Sequence, residues 1–259
     1  MVPTDIGRAK VEARRSVSVA LAHLTPGRRR SAGLAVARRL GRLEAVRRAR
    51  TLMAFLSLPT EIDTWPILRW AWTEGKRVAV PRVEPPLAGC EKDLAGHEIV
   101  PVVLEPADVV GPADHPAVRP GALGILEVPD APALSAAEID LVLAPCQAID
   151  RAGNRLGKGG GFYDRFLARP DLRADVIAVA FQEQVLDAVP ATPNDRRVTL
   201  IVTDAETISV GAVPGQGTCP PAFAGGSNGI AFFEPPPVRR RSQSPPRQGS
   251  SGTEGAEVP

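Results

Sequence analysis

The chain has 259 residues, 44% of them hydrophobic, and a formal net charge of +2 at pH 7. This content is sufficient for a folded core, but no apolar run reaches the roughly 18 residues of a transmembrane helix, and residues 1–15 lack the apolar stretch of a secretory signal. Cys90, Cys146 and Cys219 are too widely spaced for a disulfide framework or a metal site, so we expect free thiols in a cytoplasmic protein.

The first fifty residues predict two basic helices, over 6–24 and 27–50. Apolar residues recur every three to four positions in the second helix, and Thr25 followed by Pro26 is a favourable start for it. Residues 1–50 contain thirteen Lys and Arg against three Asp and Glu, a balance of +10, which leaves −8 for the rest of the chain. This asymmetry is compatible with attraction of nucleic acid, attraction of an anionic small molecule, or the solvated faces of two amphipathic helices.

After residue 50, short apolar runs alternate with helical stretches. Strands are predicted over 52–56, 76–81, 98–103, 140–145, 176–181 and 198–203, and helices over 62–74 and 161–169. Because the strand runs are continuously apolar, they favour a sheet that is buried on both faces. We therefore expect a three-layer α/β/α fold with a mostly parallel sheet and two N-terminal helices. The Pro-, Gly- and Ala-rich residues 84–97 and 104–135 are expected on the surface.

The last part of the chain has a different composition. Residues 213–259 contain nine Pro, eight Gly and five Ser, with few large apolar groups. Such a composition cannot form a packed core. We therefore predict a single α/β domain over 1–212 and a disordered tail over 213–259, in which the arginines at 239–241 are either a solvated run or a contact for RNA or lipid.

A glycine-rich segment at 153–164, GNRLGKGGGFYD, is the strongest indication of chemistry. Its five glycines allow close approach of the backbone, Arg155 and Lys158 add positive charge, and it contains the only tyrosine, Tyr163. Since it follows a predicted strand and leads into a helix, it predicts a phosphate site, although a plain surface turn is the alternative. It matches neither GxxxxGK[ST] nor GxGxxG.

Three other segments carry candidate binding residues. Lys10 and Arg14 are one helical turn apart and could clamp phosphates. Glu61 follows a strand, where it either accepts hydrogen bonds from a ligand or stabilises a helix N-terminus. Asp195 precedes the last predicted strand and could hold Mg²⁺ together with Asp164, because Mg²⁺ uses one or two carboxylates with phosphate oxygens.

Taken together, these segments resemble the 5-formyltetrahydrofolate cyclo-ligase family, also called 5,10-methenyltetrahydrofolate synthetases. The resemblance covers roughly residues 8–206. Besides Lys10 and Arg14, it depends on FLSLPTEIDT (55–64), GKRVAVPR (75–82), GILEVP (124–129), IDLVLAP (139–145), NRLGKGGGFYDRFL (154–167), AFQEQVLDAVP (180–190) and NDRRV (194–198). The run NRLG…GFYDR is highly specific, and the others follow in the family's order.

The resemblance implies an ATP- and Mg²⁺-dependent ligase that closes 5-formyltetrahydrofolate to 5,10-methenyltetrahydrofolate, with release of ADP and phosphate. It implies that ATP contacts Lys10, Arg14, Arg155, Leu156, Gly157, Lys158, Gly159, Gly160, Gly161, Phe162 and Tyr163. It also implies that the folate contacts Leu56, Glu61 and Tyr163, that Arg155, Lys158 and Tyr163 are catalytic, and that Asp164 and Asp195 bind the metal. The expected protein is a cytoplasmic monomer that binds ATP and folate, polyglutamylated or not, and neither nucleic acid nor membrane.

The chain departs from the family in four ways. Thr199 stands where a second acid is usual, and Leu21 where an arginine is common. Residues 83–123 contain no Phe to stack on the pterin, and the tail after about residue 212 has no counterpart. Two alternatives therefore stay open beside the ligase: a folate- or nucleotide-binding homologue without turnover, and a sugar-phosphate isomerase-like enzyme on a similar fold. A nucleic-acid-binding protein is disfavoured, because no aromatic residues are interleaved with the basic ones.

Overall fold

The computed structural model describes residues 5–85, 96–107, 111, 114–121 and 125–211. Within these ranges the chain forms twelve strands and five helices. The strands are β1 (Thr51–Ala54), β2 (Arg77–Glu84), β3 (Glu98–Val103), β4 (Arg119–Pro120), β5 (Leu126–Glu127), β6 (Leu141–Pro145), β7 (Ala148–Asp150), β8 (Arg155–Leu156), β9 (Asp175–Ala180), β10 (Val185–Leu186), β11 (Leu200–Thr203) and β12 (Thr207–Ser209). The helices are α1 (Asp5–Ala22), α2 (Pro26–Leu40), α3 (Glu44–Arg48), α4 (Trp65–Thr73) and α5 (Phe162–Leu167), with short 3-10 turns at Ala136–Glu138 and Gln182–Gln184.

Seven strands form the central sheet, in the order β12-β11-β9-β6-β1-β2-β3. The five inner strands run parallel, and only the edge strands β12 and β3 are antiparallel to their neighbours. Each residue of β1 is buried, as are the first four of β6. The predicted α/β class and mostly parallel sheet are therefore confirmed, and the continuous apolar runs reflect strands that are covered on both faces.

Alternate strand residues pack into separate layers on the two faces. One face contributes Leu52, Leu143 and Val202 to a large core that it shares with α1, α2 and α4. The opposite face contributes Met53 and Val142, which pack against α5 and the 136–138 turn.

Two predicted helices have different bounds in the structure. The helix expected over 27–50 ends at Leu40, and a turn at Gly41 separates it from α3. Leu43 still packs on the core, so the apolar spacing continues across the break and conceals it. The helix expected from 62 begins at Trp65. The Asp63 carboxylate accepts a hydrogen bond from the Trp65 amide at 2.9 Å, and this local turn keeps residues 62–64 out of the helix.

The remaining strands are short. β10, β7 and β8 form a small three-stranded sheet, and β4 and β5 form a two-stranded one within the segment expected only to cover the surface. None of the described helices is both long enough and apolar enough to span a bilayer. The predicted tail, 213–259, lies outside the described residues, as do Cys90 and Cys219.

Candidate functional site

A cavity of about 330 Å³ opens where β1 and β6 end, beside the second half of β2. In a parallel sheet this carboxyl edge is the usual place for ligands. The apolar part of its wall consists of Phe55, Leu56, Leu58, Pro81, Val83, Ile99, Ile125, Pro145, Cys146 and Phe162. The polar side chains, by contrast, come mainly from the glycine-rich segment and α5, together with Glu61 from the segment after β1. The cavity therefore combines apolar surface that suits a flat ring with cations that suit an anion.

Asp150, at the end of β7, fixes the start of the glycine-rich segment through hydrogen bonds. Its Oδ1 accepts hydrogen bonds from the amides of Ala152 (3.0 Å) and Asn154 (2.9 Å), and its Oδ2 accepts from the Asn154 side chain and the Val189 amide. These bonds close the turn between β7 and β8, so that β8 delivers the next residues to the cavity. Sequence reasoning missed this role, although an Asp before a glycine turn is a familiar turn signal.

The loop between β8 and α5, residues 157–161, is clamped by two arginines. Arg14 of α1 donates from Nε to the Gly157 carbonyl at 2.9 Å. Arg165 of α5 donates to the Gly160 carbonyl at 3.0 Å and to the His97 carbonyl at 2.7 Å, which links the loop to β3. Gly161 adopts φ +65°, a left-handed conformation that favours glycine, and begins α5. The loop is thus a defined turn rather than a loose surface segment.

Arg155 lies deep in this site, with 2% of its side chain exposed, and donates to the Asp164 carboxylate at 2.6 Å. Its guanidinium carbon is 5.9 Å from the centre of the Tyr163 ring. Burial, reinforced by the charge of Glu61, raises the pKa of the Tyr163 hydroxyl, which is therefore neutral at pH 7. The Tyr163 hydroxyl and Arg155 Nε are buried with no hydrogen-bond acceptor among the described residues. Since such donors cost free energy, an oxygen-rich ligand in the cavity would stabilise the site.

Glu61 and Lys158 form an ion pair in the lining of the cavity. Lys158 Nζ lies 2.7 Å from Glu61 Oε1, and the other carboxylate oxygen accepts from the Leu58 amide at 2.9 Å. The Glu61 side chain is 14% exposed and that of Lys158 is 47% exposed. This ion pair therefore connects the glycine-rich loop to the segment that follows β1.

Lys10 of α1 pairs with Asp195 at 2.6 Å, and neither residue lines the cavity. Partial burial acts to raise the pKa of Asp195, but hydrogen bonds from Lys10 and Thr192 outweigh it and lower that pKa. The neighbouring Arg196 amide donates to Asp164 at 3.3 Å, which brings the segment carrying Asp195 next to α5.

Most of the residues singled out from the sequence gather around this cavity. Leu56, Glu61, Arg155, Gly157, Lys158, Gly160, Gly161, Phe162, Tyr163 and Asp164 line it. Outside the lining, Arg14 contacts the loop at Gly157 and lies close to Gly159, and Lys10 pairs with Asp195. Leu156, in β8, is buried in the large core. The individual roles assigned to these residues stay predictions.

The two candidate metal ligands are each engaged with a cation, Asp164 with Arg155 and Asp195 with Lys10. Within the described ranges, no group of three or more His, Cys, Asp or Glu side chains could hold a metal ion. Two carboxylates are too few to form a protein site for Mg²⁺ by themselves. They suit Mg²⁺ that is bound to a nucleotide, because the phosphate oxygens then complete its ligands.

Sequence reasoning missed the cavity walls, which come from distant strands. Cys146 is one of these residues. It is a buried free thiol, and burial raises its pKa to about 12, so it is inert at neutral pH.

Val83 and Ile99 on neighbouring strands, with Ile125, supply an aliphatic surface in the region where no stacking partner could be named from the sequence. The signal available was their position near the sheet's carboxyl edge.

Comparison with known proteins gives a consistent result. The model of the 5-formyltetrahydrofolate cyclo-ligase family matches residues 6–204. A 5-formyltetrahydrofolate cyclo-ligase from Escherichia coli K12 is 30% identical over 184 residues, which are 71% of this chain and 93% of that protein. One from Mycolicibacterium smegmatis is 38% identical over 119 residues, 43% of this chain and 61% of that protein. The structure of Aquifex aeolicus 5,10-methenyltetrahydrofolate synthetase shares the fold, with a TM-score of 0.63 and 23% identity over 81% of this chain and 97% of that one.

Proposed function

Because this chain belongs to the 5-formyltetrahydrofolate cyclo-ligase family, we propose that it uses ATP to close 5-formyltetrahydrofolate to 5,10-methenyltetrahydrofolate, with release of ADP and phosphate. The observation that carries the proposal is the composition of the cavity, which combines apolar residues with cations. Its apolar lining, which includes Val83 and Ile99, would accommodate a flat pterin, and the cations Arg155 and Lys158 would hold phosphates. Both reactants of a phosphoryl transfer would then meet in one site.

The chemistry requires a better leaving group on the formyl carbon. Transfer of the ATP γ-phosphoryl group to the formyl oxygen makes that oxygen part of a phosphate. The N10 amine of the folate then attacks the carbon, loses its proton, and phosphate departs as the five-membered ring closes. Little covalent work falls to the protein, whose contribution is orientation and neutralisation of charge.

The cavity residues divide this work between them. Arg155 holds positive charge where the phosphoryl group would pass, and its ion pair with Asp164 fixes the guanidinium. The neutral Tyr163 hydroxyl is available to donate to a substrate oxygen. Glu61 is positioned to accept from a pterin N–H, and Lys158 to bind a phosphate. From α1, Lys10 and Arg14 would bind the nucleotide phosphates, and Arg14 also fixes the Gly157 carbonyl.

Magnesium belongs to this proposal as part of the nucleotide. When bound, Mg²⁺ neutralises phosphate charge, and Asp164 and Asp195 are the carboxylates that would hold it. We also propose that a single chain is the active unit, since the named walls and cations all come from one chain.

The test is the ATP-dependent rise of the methenyl product's near-ultraviolet absorbance from 5-formyltetrahydrofolate. Arg155→Ala should lower kcat by at least about 100-fold, because a preorganised charge at the transferring group is removed. Arg151→Ala is the matched control: Arg151 is exposed, pairs with Glu206 and lies outside the cavity. If folded wild-type protein binds both ligands without an absorbance change, the chain is a binding homologue without turnover, and the proposal is wrong.

A further inference from the structure

One ion pair in the cavity joins the two proposed ligand subsites. Glu61 belongs to the segment after β1, on the folate side, and Lys158 belongs to the glycine-rich loop, on the nucleotide side. Within the described part of the chain, Lys158 Nζ has no other ion-pair partner, and Glu61 is paired only with Lys158. Each ligand therefore meets a residue that is already paired with the residue expected to bind the other ligand.

The other charged pairs at the site do not have this property. Arg155 pairs with Asp164, and both belong to the glycine-rich segment, whereas Lys10 and Asp195 pair with each other and neither lines the cavity. A nucleotide that rearranged either pair would leave the folate side unchanged. Among the ion pairs of the described structure, only that of Lys158 with Glu61 joins the glycine-rich loop to the segment after β1.

A single ligand would bind this site at a disadvantage. A nucleotide alone would draw Lys158 to its phosphates and leave the Glu61 carboxylate, 14% exposed, without its counter-charge. A folate alone would have to displace Lys158 from Glu61 before its own N–H groups could reach the carboxylate. With both ligands present, Lys158 has a phosphate as its counter-charge and Glu61 has hydrogen bonds from the pterin, so neither charged group is left without a partner.

We infer that the Lys158–Glu61 ion pair makes nucleotide and folate binding positively cooperative, each ligand releasing the group that the other needs. The inference rests on the proposed function, because it takes the two ligands from there. Linkage requires the effect to be reciprocal, so one coupling factor describes both affinities.

The experiment is isothermal titration of the full chain with 5-formyltetrahydrofolate, with and without a saturating non-hydrolysable ATP analogue and Mg²⁺. The analogue should tighten folate binding by about 5-fold or more, within the usual range of coupling between sites. The reverse titration should give the same factor. The catalytic assay, run in parallel with ATP itself, reports on the proposed function independently.

Two variants separate this mechanism from simple contact of each residue with its own ligand. Lys158→Met should weaken the analogue but tighten folate binding in its absence, because the competitor for Glu61 is gone. Glu61→Gln should weaken folate but tighten the analogue alone, because Lys158 is released. Both variants should bring the coupling factor close to one, whereas Lys158→Arg should retain it. Arg151→Met removes an exposed cation of another ion pair and should change none of these affinities.

The outcomes are distinct. Independent binding in the wild type, with a coupling factor of one and normal turnover, would overturn the inference and leave the proposed function intact. The inference also fails if Lys158→Met weakens folate binding in the absence of the analogue, or if coupling survives in both variants. Failure of folded wild-type protein to bind either ligand would overturn the proposed function itself, and the inference with it.

Discussion

The Tyr163 hydroxyl has opposite effects on stability and on catalysis. It is buried without a hydrogen-bond partner in the described structure, and the raised pKa keeps it a neutral donor. In Tyr163→Phe an unsatisfied buried group is removed, so the melting temperature should stay the same or rise. In the same variant kcat/KM should fall about tenfold, the equivalent of one hydrogen bond to substrate. A parallel loss of stability and activity would show that the hydroxyl is structural.

Asp195 gives the site a defined response to acid. Hydrogen bonds from Lys10 and Thr192 overcome the effect of partial burial and lower its pKa. A carboxyl whose folded-state pKa lies below the unfolded value of about 3.9 stabilises the protein at higher pH, and this contribution is lost as the pH falls through the folded pKa. Asp195→Asn should therefore lower the free energy of unfolding by about 1 kcal/mol at pH 7.

The check is urea denaturation of wild type and Asp195→Asn, without ligands, at several pH values. The difference between the two proteins should be constant above about pH 5 and shrink below about pH 4. A difference that does not change over this range would mean that the lost contacts are independent of charge. Glu138→Gln is a suitable comparison, because Glu138 also has a lowered pKa but lies in the exposed 136–138 turn, where it pairs with Arg77 at the start of β2.

At the scale of the elements, α2 packs closely against the segment that carries Glu61. A Cβ at Gly33 would come within 2.6 Å of the Asp63 carbonyl oxygen, so the helix can approach this segment only through a glycine. Gly33→Ala should push the segment outward, lower the free energy of unfolding by about 1–3 kcal/mol and raise KM for the folate. Gly27, in the same helix, has nothing within 4 Å of an added Cβ.

Gly27→Ala is therefore the matched control for Gly33→Ala. It should leave stability unchanged or raise it by up to about 1 kcal/mol, since alanine favours the helix over glycine. Thermal unfolding and folate KM, measured for both variants, decide the point. Equal behaviour of the two alanines would contradict a close contact between α2 and the segment at Asp63.

At the scale of the whole molecule, the parts predictable from sequence are those encoded locally. Continuous apolar runs indicate the buried parallel strands, and the glycine-rich segment at 153–164 indicates the loop. Strands of two or three residues, such as β7 and β8, contain too few positions for a pattern. The break after Leu40 is concealed because the apolar spacing continues through Leu43.

Long-range pairing is the other part that a single sequence does not reveal. Lys10 and Asp195 were singled out as ligands of different groups, a phosphate and a metal, yet the fold brings them together at 2.6 Å across 185 residues. The cavity walls are likewise assembled from several strands. Which side chains meet there depends on strand order, and strand order is a property of the folded sheet rather than of any segment.

The uneven charge of the chain also acts at this scale. Residues 1–50 hold a balance of +10, and α1 brings Arg14 to the glycine-rich loop and Lys10 to Asp195. ATP and a polyglutamylated folate are both polyanions, so this positive region should accelerate their encounter with the site. Salt screens such attraction, with a Debye length of about 10 Å at 0.1 M.

Raising the salt concentration from about 0.05 M to about 0.5 M should therefore raise KM for a polyglutamylated folate more than for the monoglutamate. Arg15→Glu changes an exposed cation of α1 and should reduce that difference without altering kcat. Equal salt sensitivity of the two folates would assign the basic residues to solvation of the helices alone.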